Sequence, residues 1–134
     1  MKTENLEKLI SKAKEAYKKA YAPYSKFQVG SALLDENGKI HSGCNVENAA
    51  YPSGSCAEEI AIGAMVAGGG RVIKEIVVIG LSSELITPCG ACRQRIREFC
   101  NKETIIHICD IQKGYLKSFK IDELLAYSFG PNNL

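Results

Sequence analysis

At 134 residues, with a formal net charge of +2 and 46% hydrophobic residues, the chain has an ordinary globular composition and is long enough to bury a core of its own. The charge is too small to point to nucleic acid or a membrane surface as a partner, and no stretch approaches the roughly 18 apolar residues of a membrane span. Six cysteines behind a start, Met1-Lys2-Thr3-Glu4, that does not read as a signal peptide point to a reducing cytoplasm, where thiols bind metals, catalyse or fill the core.

Leu6, Ile10, Ala13, Ala16, Tyr17 and Ala20 recur at helical spacing and predict an amphipathic helix over 4–20, with Lys12, Lys14, Lys18 and Lys19 on its solvated side. Pro23 closes that region. Two strands follow, over 27–34 and 39–46, around Asp35-Glu36-Asn37-Gly38, in which Asn-Gly is a strong hairpin signal. A helix over 57–67 ends in Gly68-Gly69-Gly70. The β-branched run over 76–81 predicts a buried strand. Beyond Pro88 come a second helix over 91–99, a strand over 105–111, room for one more strand, and a short helix over 121–127. No linker or repeat divides the chain. A single domain, 1–134, with the order α-β-β-α-β-α-β-(β)-α predicts the α/β class: a mixed sheet covered by helices. Cys44, Cys100 and Cys109 read as core thiols and His41 and His107 as ordinary strand residues.

Cys56-Ala57-Glu58, with Pro88-Cys89-Gly90-Ala91-Cys92 about thirty residues later, carries the chemistry. Zn²⁺ takes four tetrahedral ligands, and a structural site closes all four; three protein ligands leave one position for water, the catalytic arrangement. Neither histidine has the spacing of a fourth ligand. Each cysteine motif opens a predicted helix, whose free N–H groups and partial positive charge favour thiolates. Two other readings use less of the pattern. A thioredoxin-like redox motif accounts for Cys89 and Cys92 but leaves Cys56 and Glu58 idle. A purely structural zinc module needs the missing ligand.

The two motifs together form the signature of the zinc deaminases, in which the glutamate is not a ligand. The chain resembles the small, homotetrameric cytidine deaminases from about residue 21 to 131. The blocks that carry the likeness are Tyr21-Ala22-Pro23-Tyr24-Ser25-Lys26-Phe27-Gln28-Val29-Gly30, Gly43-Cys44-Asn45-Val46-Glu47-Asn48-Ala49-Ala50-Tyr51, Cys56-Ala57-Glu58, Pro88-Cys89-Gly90-Ala91-Cys92-Arg93-Gln94 and Ser128-Phe129-Gly130-Pro131. The resemblance implies a three-layer α/β/α fold with a sheet of about five strands. It implies one zinc per subunit on Cys56, Cys89 and Cys92, and hydrolytic deamination of cytidine and deoxycytidine to uridine, deoxyuridine and ammonia, for pyrimidine salvage in the cytoplasm. A blasticidin-S-type aminonucleoside deaminase is the alternative. By the same resemblance Glu58 takes the water proton and delivers it to ring N3, then helps protonate the departing amine. Asn45 and Glu47, two residues apart and so on one strand face, bind the ribose 3′-hydroxyl. Phe27 packs on the pyrimidine, the Ala57 N–H meets the base O2, and the Thr87 carbonyl holds the departing ammonia. Ala49, Tyr51 and Phe129 serve sites shared between subunits, and Gln94 supports the site from behind. The partner is a small nucleoside, not nucleic acid or a membrane.

One position departs from the pattern. Three-cysteine members commonly follow Cys-Ala-Glu with Arg, which offsets thiolate charge; here the residue is Glu59. Glu59 lies three residues after Cys56 and Arg95 three after Cys92, each about one helical turn from a ligand. The spacing allows Arg95 to supply the missing cation; the competing reading makes it a solvated residue on a basic face with Arg93 and Arg97.

Overall fold

Residues 2–134 are described in a computed structural model, running α1 (Leu6–Lys18), β1 (Val29–Asp35), β2 (Ile40–Cys44), α2 (Ala57–Ala67), β3 (Ile73–Gly80), α3 (Gly90–Phe99), β4 (Ile105–Asp110), β5 (Gly114–Phe119) and α4 (Ile121–Leu124). The strands form one sheet in the order β2-β1-β3-β4-β5. Only β3 and β4 pair in parallel, joined through α3; β1 pairs antiparallel with both β2 and β3, and β4 with β5. The mixed sheet is that expected from the element order.

Alternation along the central strands divides the core. Leu33, Ile76, Val78, Ile106 and Ile108 face Ala61, Ile62 and Met65 of α2, Ile96 of α3, and Ile121 and Leu124 of α4. Ala32, Leu34, Val77, Ile79 and Cys109 face Leu6, Leu9, Ile10 and Ala13 of α1. β3 is covered on both faces, which is why it reads as an unbroken apolar run. Two glycines set the layer spacing. A Cβ at Gly30 would lie 2.2 Å from the Ala13 carbonyl oxygen, and one at Gly43 2.6 Å from the Ala57 carbonyl oxygen and the Ala61 nitrogen. α1 therefore lies directly on β1, and the first turn of α2 directly on β2.

Several boundaries differ from the sequence reading, each for a local reason. β1 begins at Val29 because residues 24–27 turn aside. β2 stops at Cys44, and Val46 instead bridges Tyr21 and Ser55. Asn45 and Glu47 thus flank a bridge just past the strand. The hairpin closes within the expected turn, through Glu36-Asn37-Gly38, with the Asp35 N–H donating to the Lys39 carbonyl and Gly38 at φ 81°. The last helix is a single turn. Only Ile121 and Leu124 find buried surface, and Tyr127, at φ 53°, is fully exposed. Of the thiols read as core, Cys109 is buried and Cys44 and Cys100 are half-buried.

Candidate active site

The Gly43 contact fixes where α2 begins, and α2 begins on Cys56. This residue is the N-cap, in extended conformation, and Glu58 and Glu59 occupy the first turn. Cys89 is the N-cap of α3, and Cys92 lies in its first turn, fully buried. The two helix starts converge. The Sγ atoms of Cys56, Cys89 and Cys92 lie within 4.8 Å of one another, and those of Cys56 and Cys89 are 3.9 Å apart. Two thiolates at about 2.3 Å from one tetrahedral zinc sit roughly 3.8 Å apart. The spacing is thus that of ligands to a common ion, and all three thiols are free.

Their acidities fit the same conclusion. Burial raises the Cys56 and Cys92 thiols. Burial also opposes ionisation of Cys89, but hydrogen bonds from Cys92 and Cys56 outweigh it and lower that thiol. Mutual repulsion keeps three such thiolates from coexisting without a cation, so the donor set fits a divalent, thiophilic metal. Glu58 is only 4% exposed. Burial raises its carboxyl, and the opposing effects of a hydrogen bond with Cys92 and of the Arg95 charge do not cancel that rise. A carboxyl with a raised pKa is a stronger base than an ordinary glutamate, which suits a group that must accept a proton and return it.

Above the thiols opens a cleft of about 620 Å³, within the range of small-molecule sites. Phe27, Asn45, Glu47, Tyr51, Ala57, Glu58 and Thr87 line it, together with Cys56 and Cys89. The wall at 24–29 is held from below. The Glu47 carboxylate accepts the backbone N–H groups of Tyr24 and Ser25, at 3.0 and 3.1 Å, and the Ser25 hydroxyl. Asn45 accepts the Val29 N–H at 2.9 Å and donates to the Phe27 carbonyl at 2.8 Å. These bonds account for the turn that shortens β1, and for Lys26 at φ 62° within it. They also lower the Glu47 carboxyl, with the Ser25 hydroxyl the largest influence.

The remaining residues singled out by sequence are spread more widely. Ala49 and Phe129 lie outside the cleft lining, both exposed. Gln94 donates to the Phe129 carbonyl at 2.8 Å and so ties the C-terminal tail to α3. Arg95 reaches both Cys92 and Glu59, at 3.5 Å each. Arg93 was not singled out as a site residue, yet it donates to the Pro88 carbonyl at 2.7 Å, the Thr87 hydroxyl at 2.8 Å and the Leu124 carbonyl at 2.7 Å, and so fixes the loop before Cys89. Arg97 binds the Ser128 hydroxyl and Asn132. The three arginines of α3 are therefore all engaged with protein. The legible signal was their spacing: at 3.6 residues per turn, Arg93 and Arg97 share a side of the helix and Arg95 falls opposite.

Comparison with known proteins agrees with this geometry. The family model described as "Cytidine and deoxycytidylate deaminase zinc-binding region" matches residues 3–108. A cytidine deaminase of Sporosarcina psychrophila is 42% identical over 130 residues, covering 97% of this chain and 95% of that protein. The crystal structure of cytidine deaminase from Burkholderia pseudomallei superposes with a TM-score of 0.86 at 39% identity, covering 96% of this chain and all of that one. That of cytidine deaminase from Mycobacterium tuberculosis gives 0.79 at 33% identity, covering 92% and 96%.

Proposed function

The chain belongs to the cytidine and deoxycytidylate deaminase family, and we infer from that membership that it is a zinc-dependent hydrolase converting cytidine to uridine and ammonia. The observation that carries the reading is the meeting of three thiols and one buried carboxyl from two helix starts, with Cys56, Cys89 and Glu58 lining the cleft and Cys92 buried beside them. Cys56, Cys89 and Cys92 would hold the zinc. When bound, the ion supplies Lewis acidity and makes water a nucleophile near neutral pH.

The finer assignments are part of the same proposal. Glu58 takes one proton from the attacking water and delivers it to N3 of the cytosine ring as the water oxygen bonds to C4; it then passes the remaining hydroxyl proton to the C4 amine, so that the C4–N bond breaks, ammonia leaves and the C4 carbonyl forms. The buried carboxyl, which burial makes a weaker acid than an ordinary glutamate, supports this double duty. The Ala57 N–H binds O2 of the base, the Thr87 carbonyl receives the leaving ammonia, and the Phe27 ring covers the pyrimidine. Asn45 and Glu47 retain acceptor capacity beyond their backbone bonds, which they offer to the ribose 3′-hydroxyl. Deoxycytidine is a second substrate, since none of these contacts calls on the 2′-hydroxyl. The chain acts as one domain in pyrimidine salvage in the cytoplasm. Among the described residues no helix is long and apolar enough to cross a membrane. The active unit is a homotetramer in which Ala49, Tyr51 and Phe129 reach a neighbour's site; the exposure of Tyr51 and Phe129, 76% and 59%, supports that reading. The blasticidin-S alternative is not favoured, because the relatives are cytidine deaminases. Purified protein is mixed separately with cytidine, deoxycytidine and blasticidin S, and loss of the cytosine absorbance is followed. Turnover of the two nucleosides is expected; turnover of blasticidin S alone would reverse the assignment.

A further inference from the structure

Zinc with three thiolates carries one net negative charge, and this site adds two acidic residues in the first turn of α2, Glu58 and Glu59. Among the described residues, one cation reaches this group. The Arg95 Nη1 lies 3.5 Å from Cys92 Sγ, and its Nη2 lies 3.5 Å from Glu59 Oε2. Glu59 in turn accepts the Cys56 backbone N–H through its other oxygen, Oε1, at 3.3 Å. A continuous path therefore runs from the Cys92 sulfur on α3, through the guanidinium and the Glu59 carboxylate, to the backbone of Cys56 on α2. It joins the two helix starts that carry the ligands.

We propose that Arg95 is the positioning residue of the zinc site: it offsets the thiolate charge from α3, and Glu59 is its anchor on α2 rather than an uncompensated acid. The inference rests on the zinc-deaminase reading above. The guanidinium suits the task for a geometric reason. It is planar and rigid, with donors directed to two partners at once, whereas an ammonium is a single compact charge. Glu59, with one oxygen on the helix cap and the other on Arg95, holds that plane against the sulfur. The pair is about one-third exposed, so as an ion pair alone it contributes little to stability. Its effect falls on the metal, through the sulfur it touches. Outer partners of metal ligands typically change affinity by about 10–100-fold.

The test is zinc affinity, read by competition with a chromogenic chelator on the full-length protein and independent of turnover. Wild type is expected to bind one zinc per chain. Arg95→Ala is expected to bind it about 10–100-fold more weakly, with an unchanged far-ultraviolet circular dichroism spectrum. Two further variants separate charge from packing. Arg95→Lys restores one donor and is expected to fall between wild type and Arg95→Ala. Arg95→Ala combined with Glu59→Arg moves the cation to α2 and is expected to regain most of the loss. Recovery in either variant supports the proposal. Arg95→Ala with wild-type affinity would overturn it, as would a loss that neither variant recovers, which would make Arg95 a packing residue. A wild-type protein that binds no zinc would remove the underlying reading and this proposal together.

Discussion

Among the described residues Glu58 is the one carboxyl buried beside the three thiols, and its proposed work depends on gaining and losing a proton there. Glu58→Gln keeps the shape and removes the proton. It should therefore retain zinc while losing about 10²–10⁴-fold in kcat, the usual contribution of general acid–base catalysis; near-normal turnover of cytidine would sink the assigned role. This carboxyl and the three thiols that the fold brings together stood out in the sequence because each motif is local. Cys56 and Glu58 share a helix start, Cys89 and Cys92 share another, and the short spacings alone align them. The supporting bonds were not legible. Glu47 holds backbone N–H groups more than twenty residues earlier in the chain, at Tyr24 and Ser25. Arg93 binds the Leu124 carbonyl 31 residues later. Such pairings exist only after the chain has folded back on itself, and no periodicity reports them.

Gly43 shows how an element places the chemistry. A side chain there would meet the backbone of α2 at 2.6 Å, so Gly43→Ala must push the first turn of α2, and Cys56 with it, off β2. We expect a loss of about 1–3 kcal/mol in denaturant unfolding, the usual cost of overpacking, together with weaker zinc binding; unchanged values in both would mean that α2 is not held at this point. On the other face of the sheet, β3 and β4 carry a buried pair. His107 Nε2 lies 2.8 Å from Glu75 Oε1, and His107 Nδ1 lies 2.8 Å from the Ser118 hydroxyl. The carboxylate can only accept, so Nε2 carries the proton and Nδ1 accepts from Ser118. Burial lowers the His107 pKa below its ordinary 6.5, outweighing the attraction of Glu75. The Glu75 carboxyl is lowered below 4.5: burial opposes this, but hydrogen bonds from Thr3, His107 and Asn5 prevail. In both cases the unfolded chain binds protons that the folded chain resists. Stability should therefore fall as pH drops through 6.5, and fall again below 4.5. A Glu75→Gln, His107→Gln double variant should show a shallower decline in urea-unfolding free energy between pH 7 and pH 4. An identical slope in the two proteins would place the acid sensitivity elsewhere. Sequence reading placed His107 in a strand over 105–111 but began the neighbouring strand at 76, one residue past Glu75 in a strand that starts at Ile73; it treated His107 as an ordinary strand residue because its partner lies 32 residues away.

At the scale of the whole molecule, element order and hydrophobic alternation were enough to predict a mixed sheet between helices. The order β2-β1-β3-β4-β5 and the single parallel pair arise from long-range pairing and were not written locally. Nor was assembly. Tyr51 and Phe129 stand exposed, and if they serve a neighbour's site, activity depends on association. Specific activity should fall on dilution in step with dissociation seen by size-exclusion chromatography, and Phe129→Ala should shift both; a fully active monomer would refute the shared site. The proposed activity turns on zinc at Cys56, Cys89 and Cys92 driving loss of ammonia from cytidine. The most direct test is to follow cytidine absorbance with purified protein as isolated, after chelation and dialysis, and after zinc is returned. One zinc per chain, turnover lost with the metal and regained with it, and no metal or turnover in Cys89→Ser is the predicted result. Cytidine left intact by protein carrying a full equivalent of zinc, or turnover that persists without the metal, would contradict it.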